Sequence, residues 1–66
     1  MSVAKVTEII ASSKKSFEDA MEQGLKRACK TLKGVQGAWV ASQEITVKND
    51  KIEEYRVRLK VTFILK

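Results

Sequence analysis

From Tyr55 to Leu65 apolar and polar side chains alternate without a break. Tyr55, Val57, Leu59, Val61, Phe63 and Leu65 fall on one side, and Arg56, Arg58, Lys60 and Thr62 on the other. A period of two describes a strand with one covered face and one free face. Between Phe17 and Leu32 the period becomes helical. Ala20, Gly24 and Ala28 recur every four residues, flanked by Phe17, Met21, Leu25 and Leu32, while Glu18, Glu22, Lys26, Arg27 and Lys30 occupy the opposite side. Small residues in a row let a helix lie close to a sheet. That accounts for Gly24 in mid-helix despite a cost of ~1 kcal/mol relative to alanine.

Two further segments are extended in character. Residues 3–11, VAKVTEIIA, are rich in β-branched side chains, and residues 38–48 form a second strand. The stretch KNDK joins 38–48 to 51–65 as a hairpin. The break SSKKS offers two helix N-caps, Ser13 and Ser16. Ser16 has Asp19 three residues on, a variant of the capping box, and Lys14 and Lys15 suit a first helical turn poorly. The pattern leaves both open. Gly34 is a good helix stop. The expected fold is α+β, in the order β-α-β-β, as one domain of 66 residues.

The hairpin turn carries a consequence for Trp39, the sole tryptophan. With Asn49 and Asp50 at the turn, Lys48 faces Lys51. Counting outward places Tyr55 opposite Glu44, Arg56 opposite Gln43, Arg58 opposite Ala41 and Lys60 opposite Trp39. Directly paired residues project to one face. Trp39 then shares the face of Arg56, Arg58 and Lys60, away from the helix, while Val40 joins the helix-facing side. A one-residue bulge would reverse this. With one helix available, the second face stays open unless another chain covers it. Trp39 is then a subunit contact, a platform for a flat ligand, or both. One helix on three strands is also a small core with no covalent staple, so association between chains is expected.

Composition narrows the chemistry. There is one cysteine, Cys29, and no histidine, so an internal disulfide is impossible and a thiolate- or imidazole-rich metal site is nearly so. A hard ion would need carboxylates such as Glu44, Glu53 and Glu54, which read better as solvated strand and turn residues. Cys29 borders the apolar side of the helix and reads as a small buried side chain rather than a reactive thiol. The net charge of +5 suits anionic partners without identifying one. No apolar run reaches the length of a membrane span. The stretch MSVAKVTEII lacks the pattern of a secretory signal, so the expected compartment is the cytoplasm. No nucleophile–base pair or acid/base constellation is visible, which argues against an enzyme.

Several stretches in order resemble one family. VAKVTEIIASS, the helix SFEDAMEQGLKRACKTL, GAWV, and the strand EYRVRLKVTFIL at a matching distance from the tryptophan are similar to the dodecins, small bacterial and archaeal flavin-binding proteins. The resemblance covers nearly the whole chain. It implies a three-stranded antiparallel sheet wrapped around one helix, and twelve copies assembled into a hollow shell. In flavin-binding members two flavins stack between symmetry-related tryptophans at each two-fold contact, and Trp39 falls at that tryptophan's position. The implied cofactor is a flavin, riboflavin or its mononucleotide FMN, and the implied role is storage or photoprotection.

One position departs from the flavin-binding pattern. The family's glutamine after the aromatic residue equivalent to Tyr55 is Arg56 here. An amide donates and accepts, whereas guanidinium only donates. Gln43, expected opposite Arg56, is a candidate for the missing amide. Arg56 itself would favour a phosphorylated flavin or another anion. A calcium-binding branch of the family also has arginine here but lacks the tryptophan. The candidate cofactor contacts are therefore Trp39, Arg56 and Gln43. The alternative is a shell-forming protein without flavin, binding calcium or coenzyme A or serving as a purely structural oligomer. A basic nucleic-acid binder is disfavoured by the single exposed aromatic and the lack of a glycine-rich clamp.

Overall fold

The computed structural model describes residues 3–65. Strand β1 runs Val3–Ser13, helix α1 Phe17–Thr31, strand β2 Val35–Lys48 and strand β3 Lys51–Leu65. The strands form one antiparallel sheet in the order β1-β3-β2, with β3 in the centre. This is the β-α-β-β, α+β arrangement expected. Two boundaries differ. β1 continues two residues past Ala11, and β2 begins at Val35 because the segment after Gly34 pairs with Phe63.

Both candidate N-cap serines have work at the helix start. Ser16 is the cap: its hydroxyl accepts from the Asp19 N–H at 3.0 Å. Ser13, the last residue of β1, donates its hydroxyl to the Asp19 carboxylate at 2.6 Å and accepts from the Lys15 N–H at 2.9 Å. Asp19 thus spends its side chain on tying the helix to the preceding strand. Lys14 and Lys15 stay outside the helix, and Glu18 and Asp19 occupy its first turn, the favourable sign there. At the other end the Leu32 N–H caps Ala28, and Gly34 adopts φ +74° while its carbonyl accepts from Ile64.

Ala20, Gly24 and Ala28 are the buried side of the helix, packed on Val57, Leu59 and Val61 of β3. A Cβ added at Gly24 would stand 2.9 Å from the Ala11 Cβ, so the close approach of helix and sheet requires glycine there. The ring of Phe17 meets Tyr55 edge-on with centroids 5.1 Å apart. Two helix expectations are corrected. Leu25 is 39% exposed, and Cys29 is exposed and not buried, because both lie further round the helix than the small-residue stripe and the Phe17 and Met21 side chains that pack on the core.

The helix is far shorter than the sheet. Fifteen residues at ~1.5 Å make about 22 Å, whereas the molecule is 51 Å long. β1 leaves the sheet at Ser13–Tyr55, so residues 46–54 project as a two-stranded arm. Val47 and Ile52 on the arm, and Ile45 at its base, are exposed. An isolated two-stranded ribbon is marginal in water. Asn49 and Asp50 close the arm with φ of +54° and +63°, the conformation of a two-residue type I′ turn. No helix among the described residues is long and apolar enough to cross a membrane.

Candidate functional site

The hairpin register decides which residues accompany Trp39. Lys48 faces Lys51 and Trp39 faces Lys60, both as expected, but the register between them differs. Glu53 is an extra residue in β3, and Ala41 is an extra residue in β2. The first bulge alone would have turned Trp39 toward the helix; the second restores it. The two cancel.

Between the bulges every pairing is displaced by one. Tyr55 lies opposite Ile45, not Glu44. Arg56 lies opposite Glu44, not Gln43, and Arg58 opposite Ser42, not Ala41. Gln43 pairs with Val57, whose side chain is fully buried on the helix side. Directly paired residues share a face, so the chain does not bring Gln43 to the face of Trp39. Glu44 takes its place beside Arg56.

The face opposite the helix can be read in rows across β1, β3 and β2. Val6, Thr62 and Gly37 form one row, and Glu8, Lys60 and Trp39 the next. Ile10, Arg58 and Ser42 follow, then Ser12, Arg56 and Glu44. Trp39 is 51% exposed, and Val6 and Ile10 are 45% and 56% exposed. The indole therefore stands on an open sheet face that mixes apolar and cationic side chains. It is not a core residue.

The three cations of this face differ in their commitments. The Arg58 guanidinium Nη1 donates to Glu8 Oε1 at 3.0 Å. Arg56 Nε donates to Ser12 at 3.4 Å, and its Nη1 lies 3.9 Å from Glu44, a looser contact. Lys60, in the row of Trp39, forms no ion pair among the described residues. Arg56 is four residues from Lys60, about 13 Å along the strand at ~3.3 Å per residue. Trp39 and Arg56 share a face but do not touch one spot. Only an elongated ligand, or a second chain, would bring them together.

A groove of about 460 Å³ opens elsewhere, between the helix and β1, lined by residues such as Ile9, Ala11, Gln23 and Arg27. Trp39 does not line it. Of the three carboxylates considered for a hard cation, Glu44 faces Arg56, while Glu53 sits in the bulge and accepts from Thr46 at 3.5 Å. No group of three or more Asp, Glu or Cys among the described residues is placed to hold a metal ion.

Comparison with known proteins gives a consistent result. The dodecin family profile matches residues 3–66. The protein named calcium dodecin from Mycobacterium tuberculosis (strain ATCC 25618 / H37Rv) is 35% identical over 63 residues, 96% of this chain and 89% of that one. An arginine-to-alanine variant of the T. thermophilus dodecin superposes with a TM-score of 0.93 at 32% identity, covering 100% of this chain and 98% of its own. The dodecin from Streptomyces davaonensis gives 0.94 at 26% identity, covering 98% and 96%. With a family match over nearly the whole chain and superpositions this close, the chain belongs to the dodecin family.

Proposed function

We propose that this protein is a flavin-binding storage and buffering protein, not an enzyme. Flavins stack on Trp39 where two copies meet across a two-fold axis, within a hollow, cytoplasmic homododecamer. The observation that carries the reading is the half-exposed indole on the sheet face that the helix leaves bare. An isoalloxazine is flat and electron-poor, and indole is the largest electron-rich plane among side chains. Offset stacking adds about 0.5–1.5 kcal/mol beyond area burial. Two copies supply indoles on both sides of the bound rings. Close stacking on indole gives the excited flavin a fast route of decay, so photoprotection accompanies storage.

Arg56 fits this role as the contact to an anionic group, such as the phosphate of FMN. Its ion pair with Glu44 is long and exposed, and an incoming phosphate would compete with it well. The second reading is a dodecin shell without flavin, with Trp39 as a subunit contact and calcium or coenzyme A bound elsewhere. The M. tuberculosis relative named calcium dodecin favours it.

A fluorescence titration of flavin-stripped protein into riboflavin and into FMN separates the two. Stacking predicts saturable quenching that disappears in Trp39→Ala, with FMN preferred over riboflavin and the preference reduced in Arg56→Gln. An intact assembly that quenches neither flavin selects the second reading.

A further inference from the structure

Gly37 is the least explained residue of the sheet. Its backbone is not left-handed, since Gly34 alone among the described glycines has a positive φ. A Cβ added to it would meet no atom within 4 Å. Neither conformation nor packing within the chain therefore calls for glycine. The neighbouring bulge at Gln36 does not require it either, because the glycine-dependent bulge needs the left-handed conformation. Glycine nonetheless weakens a strand, and its presence often marks a place where a ligand or another backbone comes close.

Its location gives that closeness a purpose. Gly37 and Trp39 are two apart on β2 and project to the same face. Strand side chains stand roughly perpendicular to the sheet. A ring stacked against an upright indole must therefore sit over one of the positions beside it. Across the ladder that position is Lys60. In one direction along β2 it is filled by Ala41 and Ser42, which the bulge brings to this face. In the other direction it is Gly37, bare, with Thr62 as its cross-strand partner.

We infer that Gly37 is the clearance residue of the Trp39 site, the floor over which the stacked aromatic ligand lies. This rests on the stacking reading proposed above. Gly37, which has no side chain, then sets how closely a flat ring can approach, and Thr62 across from it offers its hydroxyl to the ligand's polar edge. A β-branched residue at position 37 would stand up beside the indole and occupy the ring's place.

The test compares flavin-stripped wild type, Gly37→Val, Gly37→Ala and Trp39→Ala. Riboflavin quenching is titrated, and assembly size and melting temperature are measured alongside. The expected result is that Gly37→Val raises Kd at least tenfold and Gly37→Ala by less, while both keep the wild-type assembly and melt no lower. Wild-type affinity in Gly37→Val would put the ligand on another side of the indole and overturn the inference. Loss of assembly in both variants would also overturn it, since the glycine would then make room for a second chain. If the wild type itself does not quench riboflavin, the stacking reading fails and takes this inference with it. A tight wild type beside an unaffected Gly37→Val removes the inference alone.

Discussion

Strand β3 presents two surfaces made from alternate residues of one segment, and they have opposite fates. Val57, Leu59 and Val61 are buried beneath the helix, at 0%, 3% and 0% exposure. Arg56, Arg58 and Lys60, one position away from each, line a face that nothing in the chain covers. The helix side is completed by short-range means: a row of small helix residues, a glycine in contact with Ala11, and a serine-capped start. The other side holds the tryptophan, two exposed aliphatic residues and three cations, and is left unfinished. One surface specifies the fold. The other is left open by the single chain.

The largest effect is expected from attacking the finished surface. Leu59→Ala removes a core side chain that packs over Gly24, and Leu→Ala changes in cores cost about 2–5 kcal/mol. Urea denaturation should show this loss at fixed protein concentration, since assembly makes apparent stability concentration-dependent. Trp39→Ala should leave the helix–sheet core intact by far-ultraviolet circular dichroism. If instead Trp39→Ala unfolds the chain as Leu59→Ala does, the two faces are not separable as drawn here.

The finished surface was also the more legible one. The four-residue recurrence of Ala20, Gly24 and Ala28 and the clean alternation of β3 carry the fold, because burial imposes its period on sequence directly. The open face was legible at Trp39 and Lys60 but not at Gln43. Two bulges displaced the intervening pairs, and neither is marked by a glycine. A signal did exist. Ile52 and Tyr55 are three apart and Val40 and Ile45 five apart, odd spacings that can share a face only with an extra residue between them. Exposure of Leu25 and Cys29 was not legible, since helical periodicity gives the direction of the apolar side and not how much of it the sheet is wide enough to cover. Gly37 gave no sequence signal beyond being a glycine in a strand.

A smaller effect is expected at the junction between the surfaces, where Ser16 caps the helix. Ser16→Ala leaves the Asp19 N–H without its side-chain acceptor and should cost about 1 kcal/mol. Ser13 still holds the Asp19 carboxylate, so the helix start should stay tied to β1. Thermal melts of Ser16→Ala and of Ser13→Ala/Ser16→Ala test this. A double change no worse than the single one would show that the Ser13 link contributes nothing.

The smallest effect belongs to the open face and measures how open it is in the assembled protein. Glu8 and Arg58 meet at 3.0 Å with side chains 40% and 42% exposed in the single chain. A pair so exposed is worth about 0.2–1 kcal/mol, and salt should erode it, since the screening length falls to about 3 Å at 1 M. Glu8→Gln should therefore lower stability by no more than that amount, with the difference from wild type shrinking as salt is raised. A second copy packed over this face would change the sign of the argument. The pair would be desolvated, and breaking it would cost about 3–5 kcal/mol with little dependence on salt. Measuring the Glu8→Gln difference at low and high salt, in the assembly and in dilute dissociated protein, separates the two situations. A small, salt-sensitive difference in both places Glu8 at a solvated rim. A large one confined to the assembly places it inside a subunit contact, with Trp39, its neighbour across Lys60, inside the same contact.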